Sequence, residues 1–393
     1  MRSTAFFSKR TGWTLSSNRL SAAVEAKRKA GRALLDLTES NPTRCAFRFL
    51  SAGILAPLSD SGNLGYEPDP RGLLEAREAV CRYYAEKGSV VASDQVFLTA
   101  STSEAYSFLF RLLLDPGDRA AVPAPSYPLF GYLGGLNDAE LSGYSVVYEN
   151  GWRLDRAVFE KVLAEGARAV ILVNPNNPTG NFTSEQEREF INRSCRQACA
   201  SVISDEVFLD FKLEEGAHAQ SFAKNGETLT FTLSGISKIL GMPQMKLSWI
   251  IVSGPETERK EAIARLEVIA DAYLSVNTPS QRALPFWLDQ RAQVLDEIVT
   301  RLRANLGVLS RAVKGNPRAR LLRSEGGWYA VLEIDTSQTD EEIALESLEK
   351  EDLLVHPGYL FDFARGNYLV VSLLLPPAVF EEGAGRLARS LFF

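Results

Sequence analysis

The amino-acid sequence predicts an α/β fold, with a large, mostly parallel sheet between helices followed by a smaller α+β segment. Three observations predict it. Short apolar runs of strand character alternate with helical stretches through the middle of the chain. A charge-rich helical run then extends from about residue 255 to 313. After it, strands and helices resume in a shorter segment.

Taken in order, residues 95–98 read as a short strand. Residues 104–114 read as a helix with one apolar face, stopped by Asp115-Pro116-Gly117-Asp118. A brief strand is expected at 120–122, and a buried one at 168–173 closed by Asn174-Pro175. Further strands are expected at 200–204, 228–233 and 247–253. Apolar runs separated by helices suit a parallel sheet covered on both faces. The helical run is interrupted near Asn277-Thr278-Pro279. Beyond it come Gly326-Gly327-Trp328, a strand at 329–334, a helix at 340–350, strands at 353–355 and 368–373, and a final helix. The division falls near residue 290, with a large unit over 46–290 and a small one over 291–393. Residues 1–45 lack the strand–helix rhythm and are expected to pack on the small unit or on a dimer partner.

At 393 residues, with 45% hydrophobic and 23% charged side chains, the composition is that of a soluble globular protein with room for two cores. The net charge of -6 offers no basic field for a nucleic-acid partner. No apolar run has membrane-spanning length. The N-terminal MRSTAFFSKRTGW lacks the long apolar core of a signal peptide and is read as mature sequence. Four cysteines, Cys45, Cys81, Cys195 and Cys199, are too few for a disulfide scaffold and suit reduced thiols in a cytoplasmic protein. No metal-ligand cluster is present in the sequence pattern.

In such a sheet, ligands sit beyond the carboxyl ends of the strands. The polar residues fall there, one group per strand. The strand at 168–173 runs into Asn174 to Gly180, and that at 200–204 delivers Asp205 and Glu206. The strand at 228–233 delivers Ser234, Ser237 and Lys238, and that at 95–98 leads to Ser101, Thr102 and Ser103 at a helix start. An acid, an amide, a lysine and a hydroxyl cluster converge on one site, suited to a charged, planar, phosphorylated ligand.

The ordered motifs carry a resemblance to a known family. Gly65-Tyr66, Gly72-Leu73-Leu74, Pro125-Ser126-Tyr127, N-N-P-T-G at 176–180, S-D-E-V-F at 204–208, S-x-x-S-K-x-x-G at 234–241 and Glu325-Gly326-Gly327-Trp328 span most of the chain. The sequence resembles the fold-type I, aspartate-aminotransferase-like enzymes of aminotransferase class I/II, which depend on pyridoxal 5'-phosphate. The resemblance implies a seven-stranded sheet in the large unit. Lys238 is similar to the lysine that carries the cofactor as a Schiff base, and Asp205 to the acid that pairs with the pyridine nitrogen. Asn177 matches the amide on the phenolic oxygen, and Tyr127 the aromatic that stacks on the ring. Ser101, Thr102, Ser103, Ser237 and Lys246 match phosphate contacts. Tyr66 matches a tyrosine that reaches the neighbouring subunit's phosphate, which implies a homodimer with shared sites.

The sequence also departs from the pattern. Lys246 stands where the family usually has arginine, which keeps the charge but loses the bidentate fork. Phe208 stands where well-known members carry a tyrosine. Val370 takes the place of the arginine that clamps the substrate carboxylate, so Arg365, Asn41 and His356 become the candidates for that contact. The implied function is transamination between an amino acid and a 2-oxo acid. The same cofactor also serves a lyase, decarboxylase or oxidase acting on an amino-acid-like substrate, and a non-catalytic binding protein is a third alternative.

Overall fold

The computed structural model describes residues 6–49, 52–363 and 366–391. A helix, Arg19–Lys29, comes first, capped by Asn18, whose side-chain oxygen accepts from the Ser21 N–H at 2.7 Å. A two-residue strand, β1 (Leu35–Asp36), follows. The main sheet is built from β2 (Val96–Thr99), β3 (Arg119–Ala124), β4 (Glu140–Tyr148), β5 (Trp152–Leu154), β6 (Ala167–Val173), β7 (Ser201–Asp205), β8 (Thr230–Gly235) and β9 (Ser248–Ser253). Their spatial order is β2-β9-β8-β7-β6-β3-β4-β5.

The pairings from β8 through β7, β6 and β3 to β4 are parallel. Those of β9 with β8, β9 with β2, and β4 with β5 are antiparallel. The link from β8 to β9 holds only a four-residue helix, Ile236–Ile239, and a 3-10 turn. No covering crossover fits in so short a link, so β9 returns antiparallel. β4 and the three-residue β5 extend the sheet beyond the strands read in the sequence. β4 contains Ser142, Gly143 and Ser145 and alternates in burial, so it lacks the continuous apolar run that marks its neighbours.

Side chains alternate across the sheet with the period of two. Ile171, Ile203, Phe231 and Ile250 face one side, against Phe108 and Leu109 of the helix Thr102–Leu113. Val170, Leu172 and Val202 face the other, against Phe159 of Arg156–Ala164 and Phe190 of Glu185–Gln197. Each fully buried branched side chain of this kind contributes about 1.5–3 kcal/mol.

The helical run resolves into Glu256–Asp271, Thr278–Asp289 and Arg291–Val313. The break near residue 277 is a cap, with Asn277 Oδ1 accepting from the Ser280 N–H at 2.9 Å. A second sheet follows, from β10 (Ala319–Leu321), β11 (Tyr329–Ile334), β13 (His356–Pro357) and β14 (Tyr368–Ser372), in the antiparallel order β10-β11-β14-β13. β12 (Leu353–Leu354) instead pairs in parallel with β1, Leu35 opposite Leu353. Ion pairs Lys27–Asp352 at 2.8 Å and Arg19–Glu341 at 3.3 Å dock the N-terminal helix on the same segment.

One seam joins the loop after β6 to the loop before β11. The Gly180 carbonyl accepts from the Glu325 N–H at 3.1 Å and the Gly326 N–H at 2.8 Å. The Phe182 N–H donates to Glu325 Oε2 at 3.0 Å, and the Gly327 N–H to the Phe211 carbonyl at 2.9 Å. Gly180 sits at φ +75, and a Cβ there would lie 2.0 Å from Ser324 Oγ and 2.4 Å from the Gly326 carbonyl. Only glycine fits both the backbone and the approach.

Gly180→Ala is therefore expected to cost about 3 kcal/mol or more, combining left-handed strain with a forced shift of the seam. Gly88, at φ +74 with nothing near its missing Cβ, is the control. Gly88→Ala carries only the conformational cost of about 1–2 kcal/mol. Urea denaturation of both variants measures the difference, and equal losses would show that the seam tolerates a side chain.

Candidate functional site

The carboxyl ends of β6, β7 and β8 lie side by side. β6 ends at Val173 and leads into the Asn174–Gly180 loop, β7 ends on Asp205, and β8 ends on Gly235, just before the helix turn that holds Lys238. They open onto a cavity of about 190 Å³. Of the residues singled out in the sequence, Lys238, Asp205, Asn177, Tyr127, Phe208, Thr102 and Ser237 line it.

Asp205 is buried at 7% exposure. Burial pushes its pKa up to about 6, against the pull of the Val207 N–H at 3.2 Å, the Tyr106 hydroxyl at 3.0 Å and the charge of Lys238. Burial acts the opposite way on Lys238 and lowers its pKa to about 8, with the Asp205 charge opposing. Its Nζ lies 4.9 Å from the ring centroid of Trp328 and 5.4 Å from that of Phe208. Among the described residues this amine makes no hydrogen bond. A lysine so placed gives up its proton near neutral pH, which an exposed lysine does not.

Burial raises the Tyr127 phenol to about 12, so it stays neutral and offers its ring face. Asn177 is buried, and its Oδ1 has no hydrogen-bond partner. Thr102 is the first residue of the 12-residue helix Thr102–Leu113, whose Ser101 cap accepts from the Glu104 N–H at 3.1 Å. The first backbone N–H groups of that helix carry partial positive charge and suit an anion.

The remaining candidates fall outside the lining. Ser101 and Ser103 share the start of the same helix but do not line the cavity. Lys246 is exposed, at φ +51 after the turn Pro243–Met245. Tyr66 is 73% exposed and does not line the cavity. Asn41 does not reach the cavity because its Oδ1 takes the Thr43 N–H at 3.1 Å and hydroxyl at 2.8 Å, closing a turn. His356 does not reach it either, since it pairs with Val370 across β13 and β14 and packs on Phe361 at 5.6 Å. Arg365 lies outside the described residues. Val370 is fully buried in an apolar cluster with Val331 and Phe361.

Four neighbours of the cavity were given no role from the sequence. Ser40 and Tyr329 line the cavity, and the Ser40 hydroxyl faces the Tyr329 phenol, offsetting part of the rise that burial gives it. Tyr106, which anchors Asp205, reads in the sequence as one more apolar position of its helix. Glu206, read as an ordinary strand-end residue, is buried and accepts from Ser221 Oγ at 2.6 Å, the Phe222 N–H at 2.7 Å and Ser204 Oγ at 3.0 Å. Burial outweighs these bonds and raises its pKa to about 7.

Comparison with known proteins covers almost the whole chain. Residues 33–387 match the sequence model of the family described as aminotransferase class I and II. The glutamate-pyruvate aminotransferase AlaA of Haemophilus influenzae is 26% identical over 368 residues, covering 92% of this chain and 91% of that protein. The alanine aminotransferase of Mycobacterium tuberculosis strain H37Rv is 26% identical over 313 residues, covering 78% of this chain and 73% of that one. The solved structure of alanine aminotransferase from Pyrococcus furiosus aligns at a TM-score of 0.88 and 25% identity over 98% of both chains. The aspartate aminotransferase of Thermotoga maritima aligns at 0.84 over 98% of this chain and 99% of that one, with 21% identity, and shows the fold.

Two titrations follow from this electrostatics. Competitive acetylation of the cofactor-free chain, read by mass spectrometry, is expected to show Lys238 titrating near 8, and a midpoint at 10 or above would contradict the burial argument. Asp205→Asn removes the charge that favours the ammonium form and should move that midpoint further down. Glu206 binds protons more tightly folded than unfolded, from its ordinary 4.5 up to about 7. Its contribution to stability is present below that window and is lost as pH rises through it, so Glu206→Gln should flatten the pH dependence of unfolding between those values.

Proposed function

The chain belongs to the aminotransferase class I and II family, and from that premise we propose that it uses pyridoxal 5'-phosphate, carried on Lys238, to move an amino group between an amino acid and a 2-oxo acid. One observation carries the reading: a half-buried lysine amine of lowered pKa and a buried acid share one cavity at the ends of adjacent strands. The residues fit the cofactor. Asp205 is a desolvated carboxylate that gains from a cationic partner, Asn177 has an unused amide oxygen, and Thr102 and Ser237 place hydroxyls beside a helix N-terminus.

When bound, the cofactor supplies a conjugated ring that accepts the electron pair left at the substrate α-carbon when its proton is removed. The protein's part follows from the residues. Asp205 holds a proton on the ring nitrogen, and Tyr106 and the Val207 N–H hold Asp205 in place. Lys238 Nζ would take the proton from the substrate α-carbon and give it back on the far side of the transfer, a role that needs a pKa near working pH. Tyr127 and Phe208 present ring faces that exclude water. Ser101, Thr102, Ser103, Ser237 and Lys246 are assigned to the phosphate.

Val370 gives β14 no cation to offer a substrate carboxylate, and Arg365 stays the candidate for that contact. The relatives are named for alanine, glutamate and pyruvate, which supports small amino acids as donors. The lyase, decarboxylase and oxidase alternatives find no support in them. The homodimer is part of the same reading: Tyr66 and Leu64 are 73% and 91% exposed and do not line their own cavity, as suits a residue that completes the partner's phosphate site. So is a cytoplasmic setting, supported by four free cysteines, two of them buried. The boundary between the two units is placed near Gln290, where Thr278–Asp289 gives way to Arg291–Val313.

Mixing the holoprotein with a panel of amino acids and following the cofactor absorbance tests the reading. Alanine or glutamate is expected to convert the bound cofactor to its amine form in one turnover. Lys238→Ala should slow that conversion by about 10⁴-fold, and an unchanged rate, or ammonia release without an acceptor, would sink the proposal. Tyr66→Phe should weaken cofactor affinity by about tenfold or more, while light scattering still reports a dimer. Full affinity would remove the shared site.

A further inference from the structure

A second concavity, of about 560 Å³, shares no lining residue with the Lys238 cavity. It lies between the β4–β5 hairpin, the start of the helix Glu185–Gln197 and the strand exit at Arg323. With Glu214 counted its three arginines face three carboxylates, but the hydrogen-bonding groups are unevenly committed. The carboxylate of Glu187 is fully used, accepting from the Leu154 N–H at 2.9 Å, the Ser184 N–H at 2.9 Å and Ser184 Oγ at 2.8 Å. That of Glu325 accepts from the Phe182 N–H at 3.0 Å and faces Arg323 at 3.4 Å.

The cations keep spare donors. Arg153 has no hydrogen-bond or ion-pair partner among the described residues. Arg156 rests on the ring of Phe190 at 5.1 Å and donates to no acceptor among the described residues. Arg323 commits Nε at 2.8 Å and Nη2 at 2.6 Å to Glu214, which leaves Nη1 uncommitted beside Gly151. Trp152 also lines the hollow and is only 8% exposed. Solvated arginines scattered over a surface need no ligand. Three that line one hollow, two of them with no acceptor among the described residues, are an arrangement with donors in excess of acceptors.

We propose that this hollow binds a small organic anion bearing carboxylate or phosphate groups. Its charge lies among Arg153, Arg156 and Arg323, and its apolar part lies against Trp152 and Phe182. The proposal does not depend on the amino-transfer reading.

Calorimetric titration of the cofactor-saturated protein with citrate, and separately with inorganic phosphate, tests it, with tryptophan emission as a second readout. One saturable site per chain is expected for at least one probe, and which of the two binds identifies the anionic group. The double substitution Arg153→Ala with Arg156→Ala should weaken binding by roughly tenfold or more, as should added salt, with the amino-transfer half-reaction unchanged. No saturable binding of either probe, or binding untouched by the arginine substitutions, overturns the proposal.

Discussion

Everything at this site depends on keeping an amine and a carboxylate dry in the same small cavity. Water would return Lys238 to its ordinary basicity and Asp205 to its ordinary acidity. Burial moves the two toward each other, to about 8 and about 6, while their mutual attraction resists both shifts. That compromise requires walls, and no single element supplies them. Three strand ends provide Asn177, Asp205 and Lys238, the start of β11 and the residue before it provide Tyr329 and Trp328, and the N-terminal segment provides Ser40. The seam at Gly180 matters because it holds one wall to the other through two hydrogen bonds to a single carbonyl.

The same logic accounts for the buried polar groups just behind the cavity. Tyr106 spends its hydroxyl on Asp205, and Glu206 ties the end of β7 to residues 221 and 222. Each satisfies a group whose burial is otherwise costly, and each fixes the strand end that carries Asp205. Adjacent in sequence, Asp205 and Glu206 make separate sets of partners, so one acts toward the ligand and the other toward the scaffold.

How much of this was legible in the sequence varied with the range of the interaction. Lys238, Asp205 and Asn177 were readable because each follows a buried apolar strand by a few residues, and strand ends converge in a parallel sheet. The strands at β6, β7 and β8 were readable for the same reason, since continuous apolar runs mark them. β4 was not, because a half-exposed strand interrupted by glycine and serine has no such signature. Ser40 and Tyr329 were not, because their approach to Lys238 is created by tertiary contacts between segments nearly three hundred residues apart. Asn41 beside Pro42 suits a turn role better than a ligand contact, and its oxygen does close a turn with Thr43. His356 looked like a mouth residue, yet strand pairing with Val370 holds it away from the mouth.

The pairing of β1 with β12 has a consequence for how the chain is made. Leu35 and Leu37 hydrogen-bond to Asp352 and Leu354, and Leu37 also accepts from Ser372. During vectorial synthesis the first of these partners leaves the ribosome more than three hundred residues after β1 does. Until then the N-terminal segment has no sheet to join, and its leucines are candidates for chaperone capture. Ser40 lies just past that pairing, so the cavity gains this wall only after residues 352–354 and 372 have been made.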